Sequence, residues 1–345
     1  MQEFISILSQ KKSLSQKQAY DVLDLILQGN QKEDDIFMLL KLLTEKGESV
    51  DELIGFVKAL KEKCLPIKHK LKSPLIDTCG TGGSGKSRFN ISTCVSFVLA
   101  AGGVHVAKHG NYGSQRPNGS FNFLEDMNID FDFSPEEILR LLGETNLCFL
   151  FARTFHPAMK YVAKARKTLG CQNIFNLMGP LANPLGVDYQ IIGLSSEKKL
   201  DLLVETVKQL PMKKVAFCIG GDGKDEISLT GDTKIITVTK DSVEEELFNF
   251  RDEIDGDIED YYCGDSQENA EIFSHILMDF EWDHSILKHI SINAALGFKL
   301  AEKVNTLKEG YDLALNLFKT ETVTEKINEY KLMTVDLRDL AQING

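Results

Sequence analysis

The sequence predicts an α/β protein: a small N-terminal helical domain, residues 1–70, followed by a large α/β domain, residues 71–345, with a mostly parallel central sheet. Three observations carry this. Apolar residues recur at helical spacing before residue 70. After Pro74, short β-like runs alternate with helical stretches. A glycine-rich turn, Gly80 to Ser87, joins the first such run to the first such helix.

In chain order, Ser13-Leu14-Ser15-Gln16 has the spacing of a capping box. Ala19, Val22, Leu23, Ile26 and Leu27 follow at helical intervals until Gly29 ends the run. Ile36, Met38, Leu39, Leu40, Leu42 and Leu43 make a very apolar helix before Gly47. That is more apolar surface than a small helical domain needs, so a homodimer through these helices is expected. Ser49 with Glu52 forms a second box before Leu53, Ile54, Val57 and Leu60. The β-like runs are Pro74 to Ile76, His105 to Ala107, Cys148 to Ala152, Gln190 to Leu194, Lys214 to Gly220 and Lys234 to Val238. Ligands of such sheets sit beyond the carboxyl ends of the strands. The loops there, 77–88, 108–120, 153–166 and 221–228, hold most of the unusual polar residues.

The chain has 345 residues and a net charge of −12. No apolar run is long enough to span a bilayer, and Met1-Gln2-Glu3-Phe4 lacks the basic start of a signal peptide. The 7 cysteines are dispersed without a C-x-x-C pair, which points to reduced thiols and a cytoplasmic setting. Charge is segregated. Residues 242–283 are strongly acidic, with Arg251 the sole arginine or lysine. Residues 72–120 carry Lys72, Lys86, Arg88, Lys108 and Arg116 against Asp77 alone, and residues 151–172 carry five Lys or Arg and no acid. Two basic segments in an acidic protein favour a small anion in a cleft over a nucleic-acid surface.

The turn at 80–87 reads Gly-Thr-Gly-Gly-Ser-Gly-Lys-Ser. Glycines allow backbone N–H groups close to an anion, and the following helix start adds donors, so this is a phosphate cradle. The turn also fits the P-loop pattern, with Ile276-Leu277-Met278-Asp279 as a possible Walker B strand. The strand before it is short, and nothing else in the chain suits a nucleotide hydrolase.

Further segments decide between phosphate compounds: Asn90-Ile91-Ser92-Thr93, Lys108-His109-Gly110-Asn111, His156-Pro157-Ala158-Met159-Lys160 leading to Arg166, Asn176 to Pro184, and Asp222-Gly223-Lys224-Asp225-Glu226. In order and spacing they resemble the anthranilate phosphoribosyltransferase family across nearly the whole chain. The resemblance implies a nucleoside phosphorylase/phosphoribosyltransferase type of fold, with part of 165–188 joining the helical domain. It implies transfer of phosphoribose from phosphoribosyl pyrophosphate to the amine of anthranilate, the second step of tryptophan biosynthesis, with Mg2+ as cofactor and a homodimer as the assembly.

What the family implies for the residues agrees with their chemistry. Asp225 and Glu226 are a hard-oxygen pair suited to magnesium, joined by the Ser92 hydroxyl. Lys108 supplies a point charge for a phosphate, and Gly80, Gly83, Ser84, Asn90, Thr93 and Ser120 line the donor. Arg166 suits the acceptor carboxylate, Asn111 and Gly80 match acceptor positions, and His109 and His156 flank that site. His109 and Arg166 are the candidate catalytic residues. Departures from the family cluster in the donor loops: Ser84 for an acid, Arg88 and Arg116 for small hydroxyl residues, Gln115 beside Arg116, and Gln172-Asn173 further on. Arg88 and Arg116 are expected to contact phosphate oxygens. The departures leave two alternatives, a paralogue using another aromatic amine or related acceptor, and a non-catalytic binding protein on the same fold. Nucleic acid is disfavoured by the net charge and the retained acid pair.

Overall fold

The computed structural model describes residues 1–80, 88–113, 117–256, 258 and 261–344. Seven strands form one sheet: β1 (Leu75–Gly80), β2 (His105–Gly110), β3 (Leu147–Phe151), β4 (Tyr189–Gly193), β5 (Lys214–Gly220), β6 (Asp232–Val238) and β7 (Val243–Asn249). Their order is β3-β2-β1-β4-β5-β6-β7. The first five are parallel; β6 and β7 close the edge antiparallel. The order reverses between β1 and β4, whose last residues pair, Gly80 with Gly193. In a parallel sheet this is where a crevice opens.

Both sheet faces are covered, as parallel strands require. Along β5, Val215, Phe217 and Ile219 enter one apolar core while Ala216 and Cys218 enter the other. Full burial of a side chain such as Phe217 contributes about 1.5–3 kcal/mol. The first core packs against helices α1 (Gln2–Ser9), α2 (Gln16–Leu27), α3 (Glu33–Lys46) and α4 (Val50–Glu62). The opposite face holds α5 (Ile91–Ala101) and the C-terminal helices from Ser266 onward. Helices Lys160–Leu169 and Ile174–Leu181, between β3 and β4 in the chain, pack on α2, α3 and α4. No helix among the described residues is long and apolar enough to cross a membrane.

One sequence expectation needs correction, one strand lies where none was expected, and one disfavoured reading is removed. The first box is Ser15 with Gln18, so α2 begins at Gln16. Leu14 is buried and its N–H donates to the Glu52 carboxylate at 2.9 Å, which turns the chain before the helix starts. Ser49 with Glu52 does cap α4, and the buried Glu52 also pairs with Lys46 at 2.9 Å. Second, β7 lies inside the acidic stretch. Glu244, Glu245 and Glu246 face solvent on the edge strand, where charge discourages pairing with another sheet. Lys234 and Lys299 pair with Glu245 and Glu246 across it. Third, Ile276 to Met278 end a helix, Ser266–Met278, so no Walker B strand exists there. Of the apolar residues on α3, Ile36, Leu39, Leu40 and Leu43 are buried within the chain, and Met38 is 40% exposed.

Candidate active site

Strand β1 ends at the crevice, and α5 starts just beyond the glycine turn. Gly83, Ser84 and Arg116, with the rest of 81–87 and 114–116, lie outside the described residues. A Cβ at Gly80 would lie 2.5 Å from Asp225 Oδ2, so a side chain there would displace that carboxylate. A Cβ at Gly193 would collide with the Asp225 backbone carbonyl. Asp225 therefore sits directly over the paired ends of β1 and β4. Its carboxylate forms an ion pair with Arg88 Nη1, and Arg88 Nη2 donates to the Gly223 carbonyl at 2.6 Å. Glu226 lies 3.8 Å from His289 Nε2, and the same nitrogen is 2.6 Å from the Ile227 carbonyl. Asn293 holds Ile227 at both its N–H and its carbonyl.

Lys108 is buried in the sheet, not displayed at its rim. Its ammonium donates to the Thr78 carbonyl and, at 3.1 Å, to Ser92 Oγ. Ser92 thus accepts from a cation while its own proton stays available to an anion. Burial pushes the Lys108 pKa down, and Asp77 opposes that shift. Asp77 is itself fully buried; burial pushes its pKa up, while Lys108 and Asn183 pull it down. It accepts from Asn183 Nδ2 at 3.0 Å, Gln190 Nε2 at 3.2 Å and the His109 N–H at 3.2 Å. A buried charge needs such partners. This group, which the sequence reading passed over, ties β1, β2, β4 and the 180–183 turn together. A lone acid inside an apolar strand was its one visible sign.

His109 and His156 are both buried, and their rings meet at a centroid distance of 5.1 Å. Burial holds the His109 pKa well below the ordinary value, and the neighbouring His156 adds to this. Burial likewise lowers His156 to about 4, against a hydrogen bond to the Ala182 carbonyl. Both rings are neutral near pH 7. His156 Nε2 is 3.1 Å from Ala182 O, an acceptor, so this nitrogen carries the proton. His156 Nδ1 and His109 Nε2 are buried without a partner.

Arg166 is half-buried, its guanidinium 5.2 Å from the centre of the Phe175 ring. Burial lowers its pKa, and no acid among the described residues pairs with it. Asn111 is exposed; its side-chain oxygen accepts its neighbour's N–H at 2.8 Å, and Ser120 Oγ donates to its carbonyl at 3.4 Å. Asn90 and Thr93 are buried at the start of α5. A second overlooked residue, Asn269, braces this region. It donates to Asn90 Oδ1 at 3.1 Å and to the Arg88 carbonyl at 2.9 Å. Asn118 Nδ2 grips the same carbonyl at 2.7 Å. One departure is explained locally, since Asn173 caps the helix Ile174–Leu181; nearby, Asn122 accepts the N–H groups of Gly113 and Gly119.

Among the described residues no three His, Cys, Asp or Glu side chains converge as a metal cage. A magnesium site needs only one or two carboxylates and takes its remaining ligands from substrate phosphates and water. Asp225 at the crevice, already matched to a cation, is a suitable donor for such an ion.

The chain was compared with known proteins. Residues 72–322 match the glycosyl transferase family α/β domain, and residues 2–64 its helical bundle domain. The anthranilate phosphoribosyltransferase of Streptococcus mutans is 35% identical over 97% of this chain and 100% of its own length. That of Methanocorpusculum labreanum is 34% identical, over 96% and 97%. Among solved structures, the Thermus thermophilus anthranilate phosphoribosyltransferase superposes with a TM-score of 0.85 at 30% identity, covering 96% of this chain and 99% of that one. The Saccharomyces cerevisiae enzyme, in complex with phosphoribosyl pyrophosphate and magnesium, shares the fold with a TM-score of 0.86 at 22% identity, covering 97% of each chain. With about a third of its residues identical to such enzymes along nearly their whole length, the chain belongs to the anthranilate phosphoribosyltransferase family.

Proposed function

We propose that the protein transfers phosphoribose from phosphoribosyl pyrophosphate to anthranilate, giving N-(5-phosphoribosyl)anthranilate and pyrophosphate. The observation that carries this is Arg166, a half-buried cation without an acidic partner among the described residues. Such a group has room for an anion beside it, and a guanidinium binds a carboxylate through two parallel hydrogen bonds.

The donor lies over the switch point. Among the described residues, Gly80, Asn90, Thr93 and Ser120 are the ones to line it. Ser92 is held by Lys108, so the buried ammonium acts on the donor through the serine hydroxyl. Bound magnesium supplies positive charge against the pyrophosphate leaving group; Asp225 and Glu226, with the Ser92 oxygen, are the residues to hold it. In the reaction the bond from ribose C1 to the pyrophosphate oxygen breaks and a bond to the anthranilate nitrogen forms. The nitrogen then sheds one proton. His109 and His156 are neutral and each offers one unfilled nitrogen, so they orient the amine and can receive that proton. Asn111 sits at the acceptor end of β2. Holding two substrates in line supplies much of the acceleration, and no strong base is needed.

A cytoplasmic setting is supported by seven cysteines without a disulfide among the described residues. A homodimer through the N-terminal helices is supported by the exposed Met38, with Phe37 and Leu42 partly exposed on the same helix. Incubation of purified protein with both substrates and magnesium tests the reaction, and omission of anthranilate is its control.

A further inference from the structure

Arg88 is held at the start of the segment that leads into α5, and its position is set from both ends. Its carbonyl is gripped by Asn118 and Asn269, and the next residue, Phe89, is buried against Phe123 and Tyr261. The backbone is thereby fixed, and only the side chain is left to move. That side chain crosses the crevice and spends two of its nitrogens on the 222–226 loop, one on the Asp225 carboxylate and one on the Gly223 carbonyl. Its third nitrogen, Nε, is buried without a partner. The side chains of Arg88 and Asp225 are 15% and 16% exposed, so the pair stands at the mouth of the site, weakly screened.

We infer that Arg88 is a built-in counter-ion for the metal-binding carboxylate: without substrates its guanidinium occupies Asp225, and donor binding draws it to a phosphate oxygen, freeing the carboxylate for the cation. The inference rests on the phosphoribosyl transfer proposed above. The guanidinium and the cation compete for one carboxylate. An Asp225 oxygen engaged by a guanidinium is a poorer ligand for a dication, because the ion pair must break first. A phosphate offers the same fork-shaped cation at least as good a partner. The donor therefore removes the obstacle to the metal, and by linkage the metal strengthens the donor. The function of Arg88 is to make metal and donor arrive together and to keep an unpaired carboxylate from facing the incoming phosphates.

The test uses Mn2+ as the probe, with free Mn2+ read by electron paramagnetic resonance in the presence and absence of phosphoribosyl pyrophosphate. Without donor, Arg88→Ser binds Mn2+ about tenfold tighter than the parent. With donor the advantage disappears, so the coupling between the two ligands falls by about the same factor, within the usual range of such couplings. Arg88→Lys keeps the charge but loses the two-pronged reach, and lies between them. Adding Asp225→Asn to Arg88→Ser abolishes the gain. Equal Mn2+ affinity of parent and Arg88→Ser without donor overturns the inference, as does a gain that survives Asp225→Asn. If the parent binds donor with metal but shows no excess coupling over Arg88→Ser, the inference alone fails. If the parent binds no donor at all, the proposed reaction fails with it.

Discussion

The rings of His109 and His156 meet edge to face with centroids 5.1 Å apart, and each leaves one buried nitrogen without a partner. Two such bases in contact are stable only while both are neutral. Both have a lower pKa folded than unfolded, so they bind fewer protons in the folded state. Stability is therefore full above about pH 6.5 and falls as the pH drops below it. For His156 alone, a pKa of about 4 in the folded state makes the loss about 3 kcal/mol once the pH is below that value. Urea titrations between pH 7 and 4 should show this slope, and His156→Gln should flatten it. An identical slope in that variant would place the acid sensitivity elsewhere.

Asp77 has a structural consequence of the opposite kind. Replacing it with Asn leaves the buried Lys108 without its acid and sets an amide N–H group against the donors of Asn183 or Gln190. Leaving buried hydrogen-bonding groups unsatisfied costs roughly 1–3 kcal/mol each. Denaturant unfolding of Asp77→Asn measures it directly. A loss under 1 kcal/mol would mean that the charge is dispensable.

Arg166→Ala should raise the KM for anthranilate by about 10- to 150-fold, corresponding to about 1.5–3 kcal/mol for hydrogen bonds to a charged group. The KM for phosphoribosyl pyrophosphate should stay within about twofold. Equal damage to both substrates in steady-state kinetics would assign Arg166 to structure through its stacking on Phe175.

Asp225→Ala and Glu226→Ala should each lower turnover at limiting magnesium by at least about 10²-fold, since each removes charge that holds the ion against the leaving group. A magnesium titration of each variant checks this. Near-normal turnover of Glu226→Ala at low magnesium would leave Glu226 to its contact with His289.

Much of this was legible in the sequence, for definite physical reasons. Parallel strands are buried on both faces, so β1 to β5 appear as apolar runs. β7 is an edge strand with charged outward residues, and its pattern looks like solvated acid. The first capping box was placed two residues early because Ser13 and Ser15 each have Gln three residues on. What decides between them is the contact from Leu14 to Glu52, 38 positions away. Of the residues singled out for site chemistry, Asp225 and Glu226 lie on a loop after a strand, while Gly80, Lys108 and His109 lie on strands and Arg166 on a helix. Asp77, Asn183, Gln190 and Asn269 were not singled out, because their roles consist of bonds to partners far along the chain. Arg88 and Asp225 were each singled out, yet their pairing spans 137 positions and is invisible before folding.

The central claim is that this chain joins phosphoribose to anthranilate. The most direct measurement is chromatographic detection of product from purified protein with phosphoribosyl pyrophosphate, magnesium and anthranilate. The account predicts N-(5-phosphoribosyl)anthranilate and pyrophosphate in equal amounts over many turnovers, abolished by chelating the metal. Donor binding without any turnover of anthranilate, alongside turnover of a different aromatic amine, would contradict it.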